Sequence, residues 1–72
     1  MELTYSKHAR LQMLKRKITE EDVELALSRP TGGRPGQPGT LWLHGMATGG
    51  RILSVCVTLA DRRFVVTAAW LD

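Results

Sequence analysis

The sequence predicts an α+β domain in which two N-terminal helices pack on a three-stranded antiparallel β-meander, in the order α-α-β-β-β. Two observations lead to this fold class. Apolar residues recur at helical spacing across residues 5–29, and short turns separate strand-forming runs across residues 40–71. Because short turns join antiparallel neighbours, the strands should form a meander with the helices on one face. We therefore treat residues 1–72 as a single domain, with a loop at residues 30–39.

The first helix is expected to begin after Ser6, whose hydroxyl is a common N-terminal cap, and to run through residue 16. No glycine or proline interrupts residues 5–16. At about 100° per residue, one broad side of this helix carries Ala9, Leu11, Met13 and Leu14. The other side carries His8, Gln12, Lys15 and Arg16. The pattern predicts an amphipathic helix with a basic face.

The second helix has the clearest start signal in the chain. Thr19 is placed to cap it, and Asp22 stands three residues later, where its carboxylate can bond back to the cap. The acidic residues at 20–24 favour the positive end of the helix dipole, so we assign them to helix initiation rather than to catalysis. The helix should end by residue 28 or 29, because Pro30 disfavours helical backbone at the residue before it.

The second half of the sequence predicts a loop followed by the strands. Residues 30–39 hold all three prolines and four of the seven glycines, which is typical of a loop. Strands are expected over residues 41–46, 51–59 and 64–70. Alternate residues of the middle strand should face the helices, namely Leu53, Val55, Val57 and Leu59. In the third strand either Phe64, Val66, Ala68 and Trp70 or Val65, Ala69 and Leu71 face inward.

Composition excludes several classes of protein. Ten Lys+Arg against seven Asp+Glu give a formal net charge of +3, which is weak evidence for an anionic partner. No apolar run reaches the roughly 18 residues of a membrane span, and no secretory signal opens the chain, so we expect a cytoplasmic protein without membrane contact. Cys56 is the single cysteine, and with only two histidines the chain lacks zinc-ligand spacing. We expect no metal and no cofactor, and an inert Cys56 thiol.

Several segments resemble domain-of-unknown-function family 4258. They are Tyr-Ser-Lys-His-Ala-Arg at 5–10, Met13 and Arg16, Ile-Thr-Glu-Glu-Asp-Val at 18–23, Pro30, and Val-Val-Thr at 65–67. The resemblance covers nearly the whole chain apart from residues 30–39. Gln12 departs from the family pattern, which often has arginine there, and this loses a cation expected to contact phosphate. Lys17 also departs, because the family commonly has glycine there, and glycine ends a helix more easily.

The size and order of elements are similar to the RelE-like and BrnT-like toxin fold, whose members cleave RNA. The resemblance implies a toxin-type, metal-independent ribonuclease or RNA-binding protein. RNA, an antitoxin-type protein and a second copy of the chain are the candidate partners. The last has a physical reason of its own, since the single small core of 72 residues barely offsets the entropy cost of ordering the chain.

RNA cleavage without a metal needs a general base, a general acid and cations that stabilise charge on the phosphorus oxygens. The candidate catalytic residues are His8, Arg16, His44 and Arg51. His8 is the preferred acid or base because the predicted helix places it near cations. The candidate RNA contacts are Lys7, Arg10, Gln12, Lys15 and Trp70, the last by stacking on a base.

Each of these assignments has a structural alternative. His8 either transfers protons or holds the first helix to the sheet by hydrogen bonds. Arg16 either contacts phosphate or caps the first helix, and Trp70 either stacks on a base or anchors the core or a dimer interface. The alternative for the whole chain is a non-catalytic module that docks another protein through an exposed strand edge.

Overall fold

The computed structural model describes residues 2–71. The elements, in chain order, are β1 (Thr4–Tyr5), α1 (Lys7–Arg16), α2 (Glu20–Ser28), β2 (Pro30–Pro35), β3 (Thr40–Met46), a single 3-10 turn (Thr48–Gly50), β4 (Ile52–Thr58) and β5 (Phe64–Trp70). The strands form one sheet in the order β1-β5-β4-β3-β2. β1 is parallel to β5, and the other neighbouring pairs are antiparallel. No helix in this part of the chain is long and apolar enough to cross a membrane.

The predicted three-stranded antiparallel meander is wrong, because the sheet has five strands and is mixed. β3, β4 and β5 correspond to the predicted strands, and the two additional strands lie at the sheet edges. β2 comes from the predicted loop. Its two prolines, Pro30 and Pro35, lie at its ends, and an edge strand tolerates the missing proline N–H groups. β1 has only two residues, too few for a periodic signal.

The core lies between the helices and one face of the sheet. As predicted, Leu53, Val55 and Val57 of β4 are fully buried there. They belong to one apolar cluster with the inward side chains of both helices, namely Ala9, Met13, Val23 and Ala26. The expectation that Leu59 would join them is wrong, since β4 ends at Thr58 and Leu59 is 53 % exposed in the following turn.

β5 follows neither of the two alternating patterns expected from the sequence. Val65 and Ala68 are buried in the core, and Trp70 packs against it. Cys56 pairs with Thr67 whereas its neighbour Val57 pairs with Val65, so the register shifts by one residue at Val66. Such a bulge reverses the alternation part of the way along a strand, which is why one strict parity cannot describe β5.

The prediction that Ala9, Leu11, Met13 and Leu14 share one side of α1 is wrong. Ala9 and Met13 are buried, but Leu11 and Leu14 are 59 % and 80 % exposed. At about 100° per residue, Met13 lies only about 40° from Ala9, whereas Leu11 and Leu14 lie about 160° and 140° away. The two leucines therefore face away from the sheet.

α1 runs along the edge of β5 beyond the end of β1. Ser6 caps the helix as predicted, because its Oγ accepts a hydrogen bond from the Ala9 N–H (2.9 Å) and donates one to the Val66 carbonyl (2.8 Å). At the other end, Lys17 adopts the left-handed conformation that ends the helix, with φ 57° and ψ 44°. A lysine thus fills the position for which glycine is better suited.

α2 begins with the predicted capping box. The Thr19 hydroxyl accepts from the Asp22 N–H (3.1 Å), and the Asp22 carboxylate accepts from the Thr19 N–H (3.0 Å). The second oxygen of that carboxylate accepts from the N–H and hydroxyl of Thr48 in the 3-10 turn. Further along, α2 approaches β3 so closely that a Cβ at Gly45 would collide with the Ala26 backbone. Asp22 and Gly45 together fix α2 against the sheet.

We expect Asp22→Ala to lower the free energy of unfolding by about 2 kcal/mol, because it removes a helix cap and the carboxylate that bonds Thr19 and Thr48. Burial alone raises the pKa of the Asp22 carboxyl, but the hydrogen bonds from Thr19 and Thr48 outweigh it and hold the pKa below its ordinary 3.8. The ionised carboxylate therefore stabilises the fold above pH 3.8, and this contribution is lost as the pH falls through the lowered folded-state pKa.

Urea unfolding of the wild type and of Asp22→Ala, from neutral pH to below pH 3.8, measures the contribution of the Asp22 carboxylate to stability. The stability difference should be full at neutral pH and shrink as the solution is acidified. Glu21→Ala, which removes an exposed acid from the same helical turn, is the matched control. A difference that is independent of pH, or equal to that of the control, would contradict this role for Asp22.

Candidate nucleic-acid interface

The face of the sheet opposite the helices carries two rows of side chains that run across the strands. Strand alternation turns these side chains away from the buried Leu53, Val55 and Val57. The first row is Thr67 of β5, Cys56 of β4, Trp42 of β3 and Arg34 of β2. The second row is Ala69, Ser54, His44 and Gly32. We call this surface the open face.

A cavity of about 310 Å³ lies at one end of the open face. Its walls come from three separate parts of the fold, the first turn of α1, the β2–β3 turn and the centre of the sheet. The lining residues are His8, Gln37, Thr40, Trp42, Cys56, Val66 and Thr67. The floor is apolar and the rim carries an imidazole, an amide and hydroxyl groups, a combination typical of sites for small organic groups.

Trp42 is held firmly on the open face. Gly36 of the β2–β3 turn packs against its indole, where an added Cβ would lie 3.2 Å from Cδ1 and 3.3 Å from Nε1. On β2, the Arg34 guanidinium lies 5.5 Å from the centre of the indole ring, within the range of a cation–π contact. The open face therefore combines an aromatic surface with an adjacent cation.

His44 stands on the same side of β3 as Trp42, in the second row. Its Nδ1 lies 2.6 Å from the hydroxyl oxygen of Ser54, which is buried on β4. This hydrogen bond fixes the orientation of the imidazole, and the described residues make no hydrogen bond to its Nε2. Nε2 is thus the ring nitrogen that a ligand on the open face can reach.

His8 reaches the rim of the cavity from α1, and Gln12 follows it one turn later on the same side of the helix. His8 is exposed and Gln12 is half-buried. Of the two predicted histidines, His44 therefore lies on the open face, and His8 lies at its edge, on the rim of the cavity that Trp42 also lines. No group of three or more His, Cys, Asp or Glu side chains arranged to hold a metal occurs among residues 2–71.

Arg16, Arg51 and Trp70 form a separate cluster, at the end of α1 remote from His8. The Arg16 Nη1 donates to the Ala68 carbonyl (2.7 Å), and the Trp70 Nε1 donates to the Arg16 carbonyl (2.7 Å). The Arg51 guanidinium lies 3.8 Å from the centre of the Trp70 ring. These contacts join the last turn of α1 to β5, and the Arg16 side chain bonds a carbonyl of β5 rather than one of its own helix.

The remaining basic candidates, Lys7, Arg10 and Lys15, are exposed on α1 and do not line the cavity. Arg10 forms an exposed ion pair with Glu20 (3.0 Å) and lies 4.8 Å from the centre of the Tyr5 ring. Burial raises the pKa of Tyr5 to about 12, helped by Glu20 and Glu24 and opposed by Arg10. The Tyr5 hydroxyl therefore stays protonated at neutral pH.

Sequence reasoning did not single out Arg34, Ser54 or Thr67 as site residues. Arg34 lay in the predicted loop, and only the formation of β2 aligns it with Trp42. Ser54 and Thr67 are polar residues at alternate positions of strands, and that alternation was the available signal for a polar open face. Cys56 is buried, as expected of an inert thiol, although it also forms part of the cavity floor.

We expect Trp70→Phe and Arg16→Met each to lower the free energy of unfolding by about 1 to 2 kcal/mol, because each removes a hydrogen bond between α1 and β5. The two effects should be less than additive in the double variant, since both bonds hold the same helix end. Urea denaturation measures all three, with Arg62→Met in the exposed β4–β5 turn as control. Unchanged stability in Arg16→Met would contradict the structural role.

Comparison with known proteins relates most of the chain to one family. The model of that family matches residues 5–70, which include both helices, strands β2 to β5 and the whole cavity lining. No curated protein and no solved structure matches the chain significantly. The match confirms the resemblance seen in the sequence motifs. The chain belongs to the family described as Domain of unknown function (DUF4258).

Proposed function

We propose that the protein binds single-stranded RNA on its open face and cleaves it without a metal, with His8 and His44 as the proton-transferring groups. The observation that carries this proposal is that both histidines of the chain border the same sheet face as Trp42. Two imidazoles can act as the general base and general acid of metal-independent RNA cleavage, and an aromatic surface can stack an unpaired base.

RNA binding follows from the chemistry of Trp42 and its surroundings. Proteins that bind unpaired RNA stack its bases on aromatic side chains, and each stacked base contributes about 1–3 kcal/mol. The cavity next to Trp42, at about 310 Å³, has room for a base. Hydroxyl and amide groups on its rim can bond the base edges. Arg34 lies beside the indole, where it can contact a phosphate on the same strand of RNA.

The proposed cleavage is an attack by the 2′-hydroxyl on the adjacent phosphorus. A new 2′-oxygen–phosphorus bond forms and the bond from phosphorus to the 5′-oxygen breaks, which leaves a 2′,3′-cyclic phosphate and a 5′-hydroxyl. We assign His44 as the base. When its Nδ1–H donates to Ser54, Nε2 carries the lone pair that takes the 2′-proton. His8 then gives a proton to the departing 5′-oxygen.

The two imidazoles belong to separate elements of the fold. β5 and β3 are separated by β4, so their backbones lie about 10 Å apart at the usual strand spacing. His8 approaches from α1, on the far side of β5. His8 lines the cavity, whereas His44 lies outside its lining, two residues along β3 from Trp42. The proposed mechanism requires the bound RNA to cross the open face, with its 2′-hydroxyl at His44 and its departing 5′-oxygen at His8.

The experiment is to incubate a mixed-sequence RNA with the protein at low salt, with and without EDTA, and to resolve the products on a denaturing gel. We expect cleavage to survive EDTA and to fall by about 100-fold or more in His8→Ala and in His44→Ala. Trp42→Ala should weaken RNA binding by about 10-fold or more. Arg34→Ala should weaken it more than Arg62→Ala, which removes the same charge from the exposed β4–β5 turn.

Three results would count against the proposal. Intact RNA with the wild type would contradict cleavage. Equal binding losses in Arg34→Ala and Arg62→Ala would contradict the open face as the binding surface. No RNA binding at low salt would contradict the whole function and favour the protein-docking alternative, for which β2 offers a fully exposed edge strand. Thermal unfolding of each variant separates lost activity from lost folding.

A further inference from the structure

We propose that the outer sides of the two helices form a self-complementary surface through which two copies of the chain associate. In this dimer α1 of one copy packs against α2 of the other, and a two-fold axis repeats the contact. The proposal rests on exposed leucines and on opposite charges on the two helices, and it is independent of the proposed RNA function.

The exposed leucines of the helical layer mark the surface. Leu14 and Leu11 of α1 are 80 % and 59 % exposed, and Leu25 of α2 is 43 % exposed. On α1, Lys7, Arg10, Leu11 and Leu14 line a shallow groove on the side away from the sheet. A side chain as exposed as Leu14 adds nothing to the core, so apolar residues clustered in this way are typical of a contact surface.

The two helices carry opposite charges on these outer sides. No aspartate or glutamate occurs from residue 3 to residue 19, whereas Lys7, Arg10 and Lys15 surround the α1 leucines. On α2, Glu21, Glu24, Leu25 and Ser28 line a second groove, and no lysine or arginine occurs from residue 18 to residue 28. α2 therefore presents the acidic, leucine-containing helix that the basic groove of α1 would accept.

A second copy of the chain can cover the outer sides of both helices at the same time. Both helices pack on the same face of the sheet, so a two-fold axis between facing helical layers can oppose each α1 to the partner's α2. The chain has an accessible surface of 4649 Å² and measures 31 × 25 × 22 Å. A standard interface takes about 800 Å² per partner, roughly one-sixth of that surface, so one side of the molecule is large enough.

RNA is a poorer occupant of this surface than a second copy. Basic side chains attract phosphates, but Leu11 and Leu14 would face the charged backbone of RNA without burial. A dimer formed through the helical layers also leaves both open faces directed outwards. The interface and the cavity at Trp42 are therefore available at the same time.

The first test measures molar mass by light scattering and the dimer Kd by sedimentation. The wild type should reach twice the chain mass of 8.0 kDa as its concentration rises. Leu14→Glu should raise the dimer Kd by about 30-fold or more, the effect of losing one central contact residue. Leu59→Glu, which places the same charge on an exposed leucine outside the helices, should leave the Kd unchanged.

The second test reverses charges on one helix at a time. In one variant Lys7 and Lys15 become glutamates, so the outer side of α1 carries two acids against Arg10 and is acidic like that of α2. In the other Glu21 and Glu24 become lysines, so the groove of α2 is basic like that of α1. Each variant alone should be monomeric, and an equimolar mixture should form the heterodimer. The variants alone distinguish the packing modes. With α1–α1 contacts the α2 variant would dimerise like the wild type, and with α2–α2 contacts the α1 variant would. Loss of dimerisation in both variants, with rescue in the mixture, therefore requires contacts between α1 and α2.

Circular dichroism should show that every variant keeps its fold. A wild type that stays monomeric at high concentration would overturn the proposal, and so would reversed variants that dimerise alone or fail to associate when mixed. An equal effect of Leu59→Glu and Leu14→Glu would also overturn it, since the contact would then lie elsewhere. RNA cleavage is not measured in either test, so the outcome does not depend on the proposed function.

Discussion

The burial of Leu53, Val55 and Val57 beneath two short helices is the interaction on which the rest of the structure depends. These side chains occupy the central strand β4 and are fully buried. The helices have only 10 and 9 residues, and with them the chain covers one face of a five-stranded sheet. α2 lies close enough to seal this face only because Gly45 has no side chain. Within residues 2–71, neither helix covers the opposite face.

The contacts that hold α1 against β5 also position the candidate site. The helix lies along β5, where Ser6 and Arg16 bond to the carbonyls of Val66 and Ala68 at the edge of the strand. These bonds satisfy groups that would otherwise lie free at the sheet edge. They also fix the first turn of the helix beside the open face, and so bring His8 to the rim of the cavity next to Trp42. The hydrogen bonds that hold α1 to β5 therefore also set the position of His8.

Features of the fold that depend on residues close together in the sequence could be predicted. Ser6, Thr19 and Asp22 cap the helices as expected, because a cap involves residues within one turn of each other. The inward side of β4 was also predicted, apart from Leu59, because alternation needs only one strand. Both helix caps and the burial of Val55 therefore follow from local patterns.

Features that depend on distant pairing could not be predicted in this way. β2 is held by β3 rather than by its own residues, which favour a loop, and so Arg34 was missed. The bulge at Val66 depends on how β4 and β5 pair, and no residue pattern in either strand predicts it. Likewise, the hydrogen bond from Trp70 to Arg16 spans 54 residues and draws both into a structural cluster. Of the predicted catalytic residues, only His44 lies on the open face and only His8 lines the cavity beside it.

A nuclear magnetic resonance titration tests the central claim, that the open face is the RNA-binding surface. The probe is a short single-stranded RNA with 2′-O-methyl groups, which cannot be cleaved by attack of the 2′-oxygen, added to 15N-labelled protein. The account predicts shifts of the Trp42 indole N–H and of the amides of His44, Cys56 and Thr67, with Leu11 unchanged. Shifts confined to the outer side of α1, or none at all, would contradict it.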